Sequence, residues 1–317
     1  MSIESPLSLR LRSITEEARG IHAYEWVPDM GGTLPPFTAG AHISLELPGG
    51  LRRSYSLTNS QCERHRYVVA VNLDPRSRGG SRYLHERARV GDVLQAAGPD
   101  NQFTLEEGAP MSVFIAGGIG ITPIRGMIRR LDEIGRDWRL HYCVRTPDVA
   151  AFLSEFVSDD RVRFYFDQGD SAARLDIDGL LAALPAQAHA YCCGPASMLD
   201  AFVESANKRL PAERTHYERF AAAQAPAQGG GYTVTLARSG RTLPVNAGQT
   251  ILEVVREAGL NPAFSCGQGV CGSCETAVLA GRPDHRDQVL SDDERAAGAS
   301  MMICCSGSLD GNLVLDL

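Results

Sequence analysis

Three folding modules in series are expected from this chain: an antiparallel β-barrel, an α/β domain built on a parallel sheet, and a small α+β domain at the C-terminal end. Three features point to them. The first third is a run of short alternating segments broken by Gly, Pro and Asn. The middle third alternates strand-like with helix-like segments. The last third follows an Ala-, Gln- and Gly-rich stretch and gathers cysteines into one loop. At 317 residues the chain is too long for one typical domain and fits two or three.

Residues 1–108 carry the barrel signal. Leu7–Leu11, Ala41–Leu47, Ser54–Thr58 and Tyr67–Leu73 read as strands, Met30–Phe37 as a loop, and only Ser81–Ala88 as a helix. Residues 109–224 change character. Strands are expected at Ser112–Ala116, Arg139–Val144, Val162–Phe166 and Ala190–Cys193, and helices at Pro123–Ile134, Ile177–Leu184 and Ala196–Lys208. Such alternation implies a parallel sheet with helices on both faces. Ala221–Gly231, with residues 225–231 as its core, has linker composition. In residues 232–317, Tyr232–Leu236 and Arg241–Val245 form a hairpin around Ser239-Gly240. Thr250–Ala258 is a Thr-capped amphipathic helix ending at Gly259. The chain has no internal repeat.

Composition excludes several classes. The content of 44% hydrophobic residues is ordinary for a globular protein with a core. No stretch approaches the roughly 20 apolar residues that span a bilayer, and the opening MSIESPLSLRLRS is too polar for a signal peptide. A cytoplasmic monomer is the expectation. Net charge is −7 and no basic patch suits a nucleic-acid backbone. The C-terminal segment is the most acidic, so a partner docking on it should present basic groups.

Five of the nine cysteines lie between Cys266 and Cys305. Cys266-Gly-Gln-Gly-Val-Cys271-Gly-Ser-Cys274 has C-x4-C-x2-C spacing, and Cys304 follows after 29 intervening residues. This is the plant-type [2Fe–2S] pattern. Gly267, Gly269 and Gly272 let the backbone wrap a cluster closely and turn amides toward sulfur. Four thiolates also suit zinc, but zinc sites favour paired C-x2-C knuckles, of which only one is present. Cys305 competes with Cys304 as fourth ligand. Most of Cys62, Cys143, Cys192 and Cys193 read as small buried hydrophobes.

Phe114-Ile-Ala-Gly-Gly-Ile-Gly-Ile-Thr-Pro123 places Gly117, Gly118 and Gly120 between a strand and a helix, where free N–H groups and the helix dipole suit a pyrophosphate. Tyr191-Cys-Cys-Gly-Pro195 is a second glycine turn at a strand end. In the first module, Arg53-Ser-Tyr-Ser-Leu57 joins an aromatic face to hydroxyls and a cation. Arg76-Ser-Arg-Gly-Gly-Ser-Arg82 has the makings of a phosphate cradle. Taken singly, such turns also arise for packing, and an Arg run is usually a solvated surface.

The combination of RSYS, GGIGITP, CGP and a ferredoxin loop resembles the ferredoxin–NADP reductase superfamily. The order barrel, nucleotide domain, ferredoxin is similar to the phthalate dioxygenase reductase family, which includes vanillate demethylase reductases. The likeness spans essentially the whole chain, including the closing LVLDL. Two departures stand out: Asn72 where a basic residue is common, and Cys305-Ser-Gly in place of Val-Ser-Arg. The resemblance implies an FMN-binding barrel (1–108), an NAD-binding α/β domain (109–224), a linker (225–231) and a β-grasp [2Fe–2S] ferredoxin domain (232–317). It also implies Arg53, Ser54, Tyr55 and Ser56 against the flavin, Ala70, Val71 and Asn72 along its ring and ribityl chain, and Gly79, Gly80 and Ser81 at its phosphate. Thr122 and Cys193, with Gly194 and Pro195 beside them, would lie near the nicotinamide, and Phe220 over the flavin. Arg145 and Asp167 would approach the adenosine half. Ser56, Thr122, Cys193 and Phe220 would then frame hydride transfer, and Cys266, Cys271, Cys274 and Cys304 would hold the cluster.

NADH yields electrons in pairs and a [2Fe–2S] cluster takes them singly, so a flavin must stand between them. No general acid–base pair is expected, and His22, His42 and His285 receive no role. The resemblance makes the acceptor a Rieske-type oxygenase. A cytochrome or desaturase is the alternative acceptor, and a redox sensor the non-enzymatic alternative, although a sensor needs no hydride entry.

Overall fold

The computed structural model describes residues 6–75, 77, 79–220, 225–227, 229–264 and 266–317. Two compact units emerge, Met1–Arg219 and Phe220–Leu317. Among the described residues no helix is long and apolar enough to cross a membrane.

The first unit opens with β1 (Leu7–Ala18), β2 (Ile21–Pro28), β3 (His42–Leu47), β4 (Leu51–Ser56), β5 (Tyr67–Asn72), helix α1 (Gly80–Glu86) and β6 (Val93–Asp100). The strands pair antiparallel in the order β4-β3-β6-β1-β2-β5. A bridge between Leu57 and Val69 joins the end of β4 to β5 and closes the sheet into a barrel. Leu9, Leu11, Tyr24, Trp26, Ile43, Leu45 and Tyr67 fill its interior. Strands β2 and β6 escape a reading of local pattern. The sequence IHAYEWVP does not alternate cleanly and VLQAAGPD is weak in β-formers. Pairing with β1 on both sides supplies what their own propensity lacks.

The chain continues through β7 (Met111–Gly117), α2 (Ile121–Glu133), β8 (Asp137–Val144), α3 (Leu153–Phe156), β9 (Val162–Phe166), α4 (Ile177–Ala182), β10 (His189–Cys193), α5 (Ala196–Arg209) and β11 (Thr215–Glu218). These five strands are parallel in the order β11-β10-β7-β8-β9. After β7 the chain builds outward to β9, then returns to place β10 on the other side of β7. The order therefore reverses between β7 and β10, where an open α/β sheet leaves a crevice at its carboxyl end. Barrel and sheet share one core. Ala23, Ala39, Ala70 and Phe103 pack with Phe114, Ile124, Met127 and Leu131. Arg125 Nη1 donates to the Thr58 carbonyl at 3.1 Å.

The second unit holds β12 (Tyr232–Leu236), β13 (Arg241–Val245), α6 (Ile251–Glu257), β14 (Glu275–Ala280), β15 (Pro283–Asp284), α7 (Asp292–Ala297), β16 (Ser300–Met302), β17 (Gly307–Ser308) and β18 (Asn312–Leu315). The main sheet runs β13-β12-β18-β14-β16, with β12 and β18 parallel, a β-grasp arrangement. Capping boxes start both helices, Thr250 with Glu253 and Ser291 with Glu294. Of the linker stretch, Ala221, Ala222, Ala223, Gln224 and Gln228 lie outside the described residues. Ala227 does not hang free: its N–H donates to the Cys305 carbonyl at 2.8 Å.

Candidate functional site

The two glycine turns meet at the carboxyl ends of β7 and β10. A Cβ on Gly120 would lie 2.1 Å from the Cys193 carbonyl oxygen, and one on Gly117 would lie 2.5 Å from Pro195 Cδ and 3.1 Å from Gly194 Cα. Only hydrogen at these positions lets the turns close on each other. Gly118 sits in open space with φ +54°, a left-handed conformation that favours glycine. Thr122 is buried and its hydroxyl donates to the Ile119 carbonyl at 2.9 Å. The structure thus brings Gly117, Gly118, Gly120, Thr122, Cys193, Gly194 and Pro195 together. Burial pushes the Cys193 thiol well above its ordinary range, with the Glu218 charge adding to the effect. Cys193 therefore stays a neutral thiol. Arg145 and Asp167 stand farther along the same edge, where Asp167 N–H donates to the Val144 carbonyl at 3.3 Å. Arg174 approaches Asp167 to 3.4 Å.

On the barrel, β4 presents Arg53, Ser54, Tyr55 and Ser56. The Ser54 hydroxyl shares a 2.9 Å hydrogen bond with Ser44, Tyr55 is half-buried, and Ser56 is buried. Burial raises the Tyr55 phenol, so it remains protonated. In β5, Ala70 joins the core shared with the sheet while Val71 turns into the barrel. Asn72 is exposed. β5 approaches the Gly118–Gly120 turn, so the strand that carries Ala70–Asn72 and the first glycine turn adjoin within one unit. Gly79, at φ +99°, precedes α1 without a side-chain cap, and a Cβ on Gly80 would lie 2.7 Å from Arg53 Cγ. Arg53 thus lies across the first turn of α1, where the Ser77 hydroxyl accepts from Gly79 N–H at 3.2 Å and from Arg82 N–H at 3.4 Å, and this cation suits the phosphate of FMN. Arg76 and Arg78 lie outside the described residues. Phe220 is exposed and begins the second unit.

Glu218, which the sequence reading passed over, pairs in register with Cys193. Its Oε2 is buried without a hydrogen-bond partner among the described residues. Desolvation pushes its pKa up to about 8. No local signal marks this residue; only the register between β10 and β11 does. A carboxyl whose folded pKa is raised contributes stability that is present below its ordinary pKa and lost as pH rises through about 8. Glu218→Gln cannot ionise. Its melting temperature relative to the unaltered chain should therefore rise between pH 5 and pH 9, by the equivalent of a few kcal/mol at most, roughly 1.4 per pKa unit. A gap that does not change with pH would remove Glu218 from this account.

In the second unit the cysteine loop takes the shape expected of it. Gly267, Gly269 and Gly272 have φ of 62°, 73° and 75°. Two amides point at sulfur: Cys266 N–H to Cys271 Sγ at 3.4 Å and Gln268 N–H to Cys266 Sγ at 3.3 Å. Cys266 pairs with Cys271 and Cys274 with Cys304, and Cys305 also lies against Cys304. Among the described residues no three His, Cys, Asp or Glu side chains converge as they would on a single metal ion. Two thiol pairs are what the two irons of a [2Fe–2S] cluster require, so these residues fit that group. Of the unassigned histidines, His22 stacks on His85 at 4.3 Å and His285 Nδ1 lies 3.6 Å from Asp287.

A family model for the 2Fe-2S iron-sulfur cluster binding domain matches residues 234–307. The chain is 53% identical to the phenoxybenzoate dioxygenase subunit beta of Ectopseudomonas oleovorans, over 99% of this chain and 98% of that one. It is 49% identical to the tetrachlorobenzoquinone reductase of Sphingobium chlorophenolicum, over 99% and 98%. A solved structure of phthalate dioxygenase reductase, described as modular for electron transfer from pyridine nucleotides to [2Fe–2S], superposes with a TM-score of 0.86. Its identity is 39%, over 99% of this chain and 98% of that one.

Proposed function

The chain belongs to the phthalate dioxygenase reductase family, and on that premise we propose that it is the NADH-dependent flavin and iron–sulfur reductase of a Rieske-type oxygenase system. The observation that carries the reading is the meeting of the two glycine turns beside the strand that carries Ala70–Asn72, in a chain that also holds two thiol pairs. When bound, FMN accepts hydride from NADH and releases the electrons singly to the [2Fe–2S] cluster.

The chain's own residues position and shield. Residues 1–108 hold FMN, with Arg53, Ser54, Tyr55 and Ser56 along the flavin, Ala70, Val71 and Asn72 beside ring and ribityl, and Gly79, Gly80 and Ser81 at the phosphate. Residues 109–224 hold NADH. The Gly117–Gly120 turn takes the pyrophosphate, and Thr122, Cys193, Gly194 and Pro195 border the nicotinamide. Arg145 and Asp167 meet the adenosine half. A carboxylate there accepts from a ribose hydroxyl and repels a 2′-phosphate, which supports NADH over NADPH. After the 225–231 linker, residues 232–317 place Cys266, Cys271, Cys274 and Cys304 on the cluster. None of the nine cysteines is joined in a disulfide, which supports a reducing, cytoplasmic setting. The oxygenase is a separate partner, and we take the reductase itself to be a monomer.

Cofactor extraction tests the reading. One FMN and two iron atoms per chain are expected, with cytochrome c reduced faster from NADH than from NADPH. Recovery of FAD, or of zinc in place of iron, would overturn it. The likeness to a tetrachlorobenzoquinone reductase adds a second acceptor to assay, a small quinone.

A further inference from the structure

Cys305 adjoins Cys304 in space as well as in sequence. Residues 303–305 form a turn in which the Met302 carbonyl accepts from Cys305 N–H at 3.2 Å and from Ser306 N–H at 2.9 Å. A strand would send consecutive side chains to opposite faces; this turn lets both sulfurs face the ligand loop. Cys305 is 1% exposed, and its Sγ occupies the hollow that Gly269 leaves: a Cβ on Gly269 would lie 2.4 Å from that sulfur. Gly269 sits between Cys266 and Cys271, so a fifth sulfur packs directly against the loop that holds the ligands. Its other polar contacts, to the Met302 carbonyl and the Ser306 hydroxyl, are both 3.8 Å long, too weak to lock the thiol in place.

We infer that Cys305 is a reserve cluster ligand: the site offers five sulfurs for four positions, and Cys305 replaces Cys304 when that side chain is missing or blocked. The inference rests on the cluster assignment above. Where Cys304 cannot bind, the Cys305 thiol releases its proton to water as its sulfur bonds the iron that Cys304 would have held, and no electron moves.

The test uses the full chain and alanine, because a serine hydroxyl can itself bind iron. Cys304→Ala, Cys305→Ala and the double variant are purified, reconstituted with iron and sulfide, and measured for iron per chain, visible absorption and the electron paramagnetic resonance of the reduced state. Resistance of the second unit to limited proteolysis reports independently that it has folded, because FMN is held by the first unit. Cys305→Ala should match the unaltered chain. Cys304→Ala should retain its iron with shifted bands and g-values, and the double variant should lose both iron and signal. If Cys304→Ala with its second unit folded loses iron as completely as the double variant, or if Cys305→Ala alone empties the site, the inference fails. An unaltered chain that takes up no iron would overturn the cluster assignment itself.

Discussion

Severing the chain within Ala221–Gln224 should leave NADH-dependent reduction of ferricyanide intact while abolishing reduction of cytochrome c and of the oxygenase. Residues up to Arg219 form a compact unit with a closed barrel and a parallel sheet on a shared core, so they have what an independent fold needs. Ferricyanide is small enough to collect electrons at the flavin. The other two acceptors depend on the cysteine loop of the second unit. The position of the cut matters. Ala227 is hydrogen-bonded to the Cys305 carbonyl, and a Cβ on Gly230 would lie 2.1 Å from Ala247 N. A cut at those positions would disturb the ligand segment as well as the connection. Placed upstream, it tests the connection alone. A severed protein that still drives the oxygenase at the full rate would show that the cluster is not the exit.

Gly120→Ala should cost about a hundredfold in kcat/KM for NADH, the scale expected when a reacting geometry shifts by about 1 Å. The added methyl would sit 2.1 Å from the Cys193 carbonyl oxygen, and backbone cannot move aside as a flexible side chain can. The two turns must separate, which costs about 1–3 kcal/mol in overpacking and lowers the melting temperature by roughly 2–4 °C per kcal/mol. Gly135→Ala, past the end of α2 and outside the site, is the control. It meets nothing within 4 Å and suffers only the strain of φ +66°, about 1–2 kcal/mol. Its melting temperature should fall while kcat/KM for NADH changes little. Equal kinetic losses in the two variants would mean that the contact between the turns does not position the nicotinamide.

Much of this protein is legible one segment at a time. The C-x4-C-x2-C loop with its three glycines, the strand-turn-helix around Gly117–Gly120, and the Thr250 cap are local patterns. Their meaning depends on residues a few positions apart, and the fold reproduces them. The strands β2 and β6, the placement of β10 beside β7, the register that sets Glu218 against Cys193, and the seating of Cys305 under Gly269 leave no local trace. Each joins segments far apart in the chain. Gly269 and Cys305 are 36 positions apart, and Cys193 and Glu218 are 25. Short-range propensity states what a segment can become. Which segments become neighbours is decided when the whole chain buries its apolar faces at once and every backbone group finds a partner.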